Sequence, residues 1–293
     1  MLLVLLASIA AQAAGPLTPQ WGKAPVRLHF EMALHTQSVV RYYSPRNVDA
    51  RVSDHLVSLN ATCTSAPDRR GWQAKCELDD VRLGGIAYPG EQEALNSILP
   101  EWEETLNASF VQLEILADGR IASVDLEGPS KADERQAAIH ETMRLLVRRV
   151  FTVIDVQAPK DGALPTGVWK QKGSPLAFEL FSTSGTAGGA SLKHTPGVVA
   201  DGRLPFESAG RGNVATGANL DADAGAVVNM KAGANGRFDL TTGLVQWCEV
   251  SVSGELGGGL TASDATTYWS LNSWVGQINA DGTVETKDGP RAL

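Results

Sequence analysis

The sequence predicts a mainly β (α+β) fold: a strongly curved or partly closed antiparallel β-meander with one principal amphipathic helix packed on it. Three observations carry this. The tripeptide Ala-Asp-Gly recurs between β-type runs, at Ala117-Asp118-Gly119, Ala200-Asp201-Gly202 and Ala280-Asp281-Gly282. Asp-Gly suits a two-residue type I′ hairpin, whose central residues both need φ > 0. Residues 26–35 alternate strictly, with Val26, Leu28, Phe30, Met32 and Leu34 against Arg27, His29, Glu31 and His35, the period of a half-buried strand. A single long segment instead shows the helical period.

Taken in order, the chain opens Met1-Leu-Leu-Val-Leu-Leu-Ala-Ser-Ile-Ala-Ala-Gln-Ala13. This reads as a signal-peptide apolar region ending in an A-x-A cleavage site, so residues 1–13 are expected to be removed on export. The run is too short to span a bilayer, which takes about 20 apolar residues. Residues 14–293 are then expected to form a single mostly-β domain in the periplasm or outside the cell. The alternative is a two-lobed arrangement split near residues 159–165.

A hairpin follows through residues 52–83. Counting outward from Pro67-Asp-Arg-Arg-Gly71 pairs Cys63 with Cys76, Ala61 with Leu78 and Ser65 with Ala74. Directly opposed cysteines lie within disulfide reach, so a structural cross-strand bridge is expected. Cys248 is left over, in phase with Leu244, Val250 and Val252, and reads as a buried thiol. The acidic stretch Glu91 to Glu104 is expected to hold a short helix. Strands near 107–116 and 120–127 flank the first Asp-Gly corner.

The principal helix is expected over residues 131–156, opened by Ser130-Lys-Ala-Asp133 as a capping-box-like start. Ile139, Met143, Leu146, Val150 and Val153 recur at helical spacing and make one apolar stripe. His140, Arg144 and Arg148 form the opposite, basic row. Beyond residue 165 the composition turns to Gly, Ala, Ser and Thr. Strands are expected near 176–182, 190–199, 203–208, 226–231, 236–241, 244–254, 266–279 and 283–287. Loops are expected at Ser184-Gly-Thr-Ala-Gly-Gly189 and Ser253-Gly-Glu-Leu-Gly-Gly-Gly259. The three Asp-Gly corners lack matching flanks, so the pattern is a meander and no duplicated domain.

Chemistry is sparsely marked. Gly210-Arg-Gly212-Asn-Val-Ala215 matches a dinucleotide string but lacks its strand and helix context, and reads as a flexible loop. Asn219, Asp221 and Asp223 lack the glycine and glutamate of a calcium loop. The five histidines, His29, His35, His55, His140 and His194, show no zinc spacing and are expected at the surface. Glu101, Glu103 and Glu104 beside Trp102 have a composition seen in sugar clefts, but are read as an exposed acidic loop. No serine-hydrolase elbow or phosphate loop is present, and no metal or cofactor is expected. A dispersed net charge of −8 disfavours nucleic acid as a partner.

Around Tyr268 and Trp269 the sequence is apolar on both strand faces, with Trp274 on one and Leu271 and Val275 on the other. A helix carrying Met143 over a curved sheet is also how periplasmic lipid carriers enclose an apolar pocket, an analogy of fold alone. The leading expectation is a non-catalytic binding or carrier protein for an apolar small molecule or lipid. Ile139, Met143, Leu146 and Val150 would face the ligand or the core beneath it. An envelope or surface protein presenting Gly-rich loops to a protein partner is the alternative, and an enzyme without a recognisable motif comes third.

Overall fold

The computed structural model of the chain describes residues 17–22, 24–41, 48–87, 90–128, 134–159, 162–172, 187–216, 226–257 and 264–293. The expected signal peptide, the expected strand near 176–182, the start of the principal helix at Ser130, and Asn219, Asp221 and Asp223 lie outside them. So do the side chains of Tyr268 and Trp269.

Alternation builds the centre of the sheet. In β1 (Val26–Arg41) the side chains of Leu28, Phe30 and Met32 are buried while Glu31 faces solvent. This strand pairs with β2 (Val48–Asp68) on one side and with β11 (Asp264–Gln277) on the other. From that central pair two meanders run outward. One continues through β3 (Gly71–Ile86) and β4 (Phe110–Leu116) to β5 (Ile121–Glu127). The other continues through β10 (Val245–Gly257), β9 (Ala226–Asp239), β8 (Arg203–Thr216) and β7 (Ala187–Pro196) to β6 (Trp169–Lys172). All pairings in this eleven-stranded sheet are antiparallel. A small ladder of β12 (Thr283–Val284) and β13 (Arg291–Ala292) is separate.

The sheet is not closed: β5 and β6 are its two edges. Laid flat, eleven strands would hold those edges about 48 Å apart. Instead both meet Asp155. Its Oδ1 accepts the backbone N–H of Ile121, the first residue of β5, at 2.9 Å, and its carbonyl accepts Nε2 of Gln171, in β6, at 3.0 Å. The curvature is therefore strong enough to bring opposite edges to one residue.

Two helices cover the sheet. The acidic stretch forms α1 (Gln92–Asn107), longer than the short helix expected and carrying Pro100 inside it. The principal helix, α2 (Glu134–Phe151), packs on β5 and ends in one 3-10 turn, Thr152–Ile154. Met143, Val147, Val150 and Phe151 are its buried apolar residues, and the Phe151 ring lies 4.7 Å from that of Phe30. The buried line thus runs through Val147, beside the expected stripe, while Ile139 and Leu146 are half-buried against the core.

The hairpin register is the one counted from sequence. Cys63 faces Cys76, Ala61 faces Leu78, Ser65 faces Ala74, and Cys63 and Cys76 are joined by a disulfide.

Several readings are corrected. Only Asp201-Gly202 forms a two-residue turn with both φ positive, at 50° and 69°, between bridged Ala200 and Arg203. At the other two corners the glycine alone turns left-handed, Gly119 at 87° and Gly282 at 84°, in three-residue turns. There Asp118 and Asp281 accept the N–H two residues on, at 3.3 and 2.9 Å, which supports the turn from the side chain. Gly210 to Ala215 is no flexible loop but part of β8. Its Gly210 leaves room for Leu192, since a Cβ there would stand 2.7 Å from that side chain. Residues 226–239 form one strand where two were read, and Ser253 to Gly257 extends β10 instead of opening a loop. Gly188 and Gly189 likewise belong to β7.

Candidate functional site

Two constellations emerge from this packing, one polar and one apolar. The polar one fastens the sheet edges. Gln171 Oε1 accepts the N–H of Gln157 at 3.0 Å, which fixes the amide so that Nε2 points at Asp155. The same Oε1 lies 3.1 Å from His194 Nε2, so that nitrogen carries the proton. His194 Nδ1 is then the acceptor for the Ser208 hydroxyl at 2.6 Å. Burial pushes Asp155 up to about 7, partly offset by the Ile121 N–H and Arg120. Burial also lowers His194 to about 4, so its imidazole is neutral near pH 7.

The order Ser208, His194, Gln171, Asp155 invites comparison with a nucleophile and its base. Yet His194 and Ser208 are 1% and 8% exposed, and the imidazole stacks on Trp169 at 4.9 Å. These hydrogen bonds link the segment after α2 to β6, β7 and β8.

Histidines expected at the surface are corrected here. His194, His29 and His140 are buried. For His29 and His194 polar partners satisfy the ring: His29 Nδ1 lies 2.7 Å from Asn60 Oδ1, as Ser208 and Gln171 flank His194. His35 Nδ1 pairs with Asp54 Oδ1 at 2.6 Å, and His55 is exposed. Among the described residues no group of three or more His, Cys, Asp or Glu could hold a metal ion. Cys248 is fully buried, and burial drives its thiol pKa far up.

The apolar constellation lies between the helices and the sheet. A cleft of about 320 Å³ is floored by Met32, Leu34, Val57 and Leu83 from β1–β3. Leu95, Leu99 and Trp102 of α1 wall one side, and Met143, Leu145 and Leu146 of α2 wall the other. Thr142, His55 and Arg149 add the polar lining, and exposed His55 marks the mouth. Burial lowers the His55 pKa; nearby Asp54 raises it and Arg149 lowers it further.

Of the four residues named from the helix stripe, Met143 and Leu146 line the cleft. Val150 is buried in the core, and Ile139 packs half-buried against it. The α1 wall was not singled out, although Leu95, Leu99 and Trp102 stand at i, i+4 and i+7, the spacing of one helix face.

What holds α1 there is the edge of β3. That strand pairs with β4 only over Gly71 to Glu77, leaving its upper half without a strand neighbour on that side. Side chains of α1 take the place of one. Asn107 Oδ1 accepts the N–H of Val81 at 3.4 Å, and Glu103 Oε1 that of Leu83 at 2.7 Å. Gln92 accepts the N–H of Ala87 at 2.9 Å and donates to the carbonyl of Gly85 at 3.2 Å. Four helical residues rise about 6 Å and two strand residues about 6.6 Å, so the two ladders stay in step. Glu101 meanwhile accepts from Arg135 of α2 at 2.5 Å. Of the acids read as an exposed loop, Glu103 thus binds β3 and Glu101 binds α2, and Trp102 lines the cleft.

A larger hollow of about 540 Å³ lies on the solvent face of the sheet, lined in part by Glu31, Arg82, Glu249 and Trp274. Glu31 is engaged there by Arg291 at 2.7 Å, and the Arg291 guanidinium sits over the Trp274 ring at 4.9 Å.

Comparison with known proteins yields no family. No family model matches the chain, and no curated protein matches it. Among solved structures, OpdQ of Pseudomonas aeruginosa aligns at 7% identity with a TM-score of 0.24, over 89% of this chain and 100% of that one. CymD, a monoaromatic hydrocarbon channel, aligns at 8% identity with a TM-score of 0.17, over 87% and 90%. Scores this low carry no argument. Among the described residues no helix is long and apolar enough to cross a membrane, a statement that does not extend to strands.

Proposed function

We propose that this chain is a non-catalytic binding or carrier protein for an apolar, lipid-like ligand, acting after export in the periplasm or outside the cell. The observation that supports it is the helix-walled cleft, whose lining is apolar apart from Thr142, His55 and Arg149. Its volume falls at the lower end of the range of small-molecule sites. An exported location is supported by the Cys63–Cys76 disulfide, a bond that persists in oxidising compartments, and by the apolar run at the N-terminus.

Titration with the neutral fluorophore N-phenyl-1-naphthylamine tests this reading. The expected result is saturable binding at one site per chain, abolished when Leu146→Trp fills the cleft while the circular dichroism spectrum is kept. Unsaturable binding, or saturable binding untouched by that substitution, overturns it.

A further inference from the structure

Charges scattered along the sequence are gathered by strand register on the outward face of β6–β9. Lys170 of β6 stands directly opposite Lys193 of β7, and Arg211 of β8 directly opposite Lys231 of β9. Lys193 pairs with Ala209, so Arg211, two residues on, is its diagonal neighbour at roughly 7–8 Å. All four side chains are exposed. Alternation puts them on one face, because Gln171, Leu192, Ser208 and Ala234, of the opposite parity, are buried. Small residues stand between them in the same rows: Ser191 faces Arg211, and Ala209 faces Gly233.

Like charges directly opposite one another on a sheet repel and cost stability. Two such pairs side by side, in a chain of net charge −8, are nothing that core packing asks for, since all four residues point to solvent. An anionic partner turns that repulsion into attraction. Glu207, diagonal to Lys193 on the same face, offsets one of the four. We propose that this face docks on an anionic lipid surface, with its cations against the headgroup phosphates.

Apolar side chains at the end of the same strands favour a lipid surface over an acidic protein. Val168 precedes β6, while Val198 and Val199 follow β7; because Trp169 pairs with His194, these strand ends lie together. The three valines are 58%, 85% and 43% exposed. At a membrane surface, cations attract anionic headgroups while neighbouring apolar groups enter the boundary with the acyl chains. The face is separate from the cleft, which is floored by β1–β3 and walled by α1 and α2, so docking and ligand binding can be measured apart.

Co-sedimentation of the full chain with vesicles tests this, comparing phosphatidylcholine alone with phosphatidylcholine containing phosphatidylglycerol. The expected result is roughly tenfold or stronger partitioning onto the anionic vesicles. It should fall as salt rises toward about 1 M, where the screening length is about 3 Å. A basic residue at an anionic surface contributes roughly fivefold, so Lys193→Gln/Arg211→Gln should weaken partitioning about 25-fold. That variant relieves both opposed pairs and should unfold at no lower denaturant concentration than wild type. Arg70→Gln/Lys75→Gln, an equal loss of charge at β3, should stay within about twofold of wild type. Val198→Asp should weaken partitioning about fivefold or more. Equal partitioning onto neutral vesicles, no effect of Lys193→Gln/Arg211→Gln, or the same loss in both double variants overturns the proposal. Binding to poly-glutamate without binding to anionic vesicles also overturns it, in favour of an acidic protein. None of these outcomes bears on the cleft, which N-phenyl-1-naphthylamine reads separately.

Discussion

Gln171 donates from Nε2 to the backbone carbonyl of Asp155 at 3.0 Å, and with the Ile121 N–H on Asp155 Oδ1 this ties one edge of the sheet to the other. An open sheet of eleven strands leaves two rows of unpaired backbone groups, a liability that natural proteins cover. Here the segment after α2 is the cover. It enters between the edges, and Asp155 is held there by the Ile121 N–H and the Gln171 amide.

That acid makes stability depend on pH in an unusual sense. Asp155 is pushed from 3.8 up to about 7, so between those values the native state holds a proton the unfolded chain has lost. Its contribution is full below pH 3.8 and is lost as pH rises through about 7, on the order of 4 kcal/mol in all. His194, lowered from 6.5 to about 4, works oppositely: its contribution is full above 6.5 and is lost as pH falls through about 4. Between about pH 4 and 6.5 the two slopes oppose. Asp155→Asn keeps an acceptor for Ile121 and removes one slope. Urea melts should show the variant more stable than wild type at pH 8, by a few kcal/mol, with the margin gone below pH 3.8. A variant less stable than wild type at pH 8 would count against a buried charge at this position.

The grip of α1 on β3 is tested at Glu103. Glu103→Ala leaves the part-buried Leu83 N–H without its acceptor, a loss of about 1 kcal/mol, and frees the wall of the cleft. Hydrogen exchange at Leu83 and Val81 should accelerate by at least tenfold in Glu103→Ala and stay near wild type in Glu103→Gln. Equal protection in both variants would mean that packing of Leu95 and Leu106 alone seats the helix.

The disulfide closes a short loop, since Cys63 and Cys76 are 13 positions apart. Replacing both by alanine should lower stability by about 3 kcal/mol, read from the denaturation midpoint at unchanged slope. Cys248, fully buried, should resist thiol reagents in the folded state and react only on unfolding.

Local periodicity made part of this fold legible. Two-residue alternation gave β1 its faces, and counting from a single turn gave the Cys63–Cys76 register, because a hairpin's pairing follows from its corner. Of the α2 stripe, Met143, Val150 and Val153 are buried as expected and Ile139 and Leu146 are half-buried, while Val147 joins the buried line from beside it. Long-range polar contacts left no local trace. His194 reads as a surface residue until Gln171 and Ser208, 23 and 14 positions away, are brought against it. The Gly210 to Ala215 segment was read as a loop because its glycines serve neighbours such as Leu192 across the sheet, and strand propensity depends on that context. A helix in the acidic stretch is expected from sequence, but not its length past Pro100 to Asn107, nor that Asn107, Glu103 and Gln92 serve the edge of β3.

The central claim is that the space between α1, α2 and β1–β3 holds an apolar ligand. The most direct measurement is a native mass spectrum of the full chain purified from cells without detergent. The expected result is a single adduct at one per chain, removed by organic extraction and absent from Leu146→Trp. An unadorned mass for the wild type, with no adduct regained after incubation with decanoate, decyl phosphate or decanol, would contradict the account.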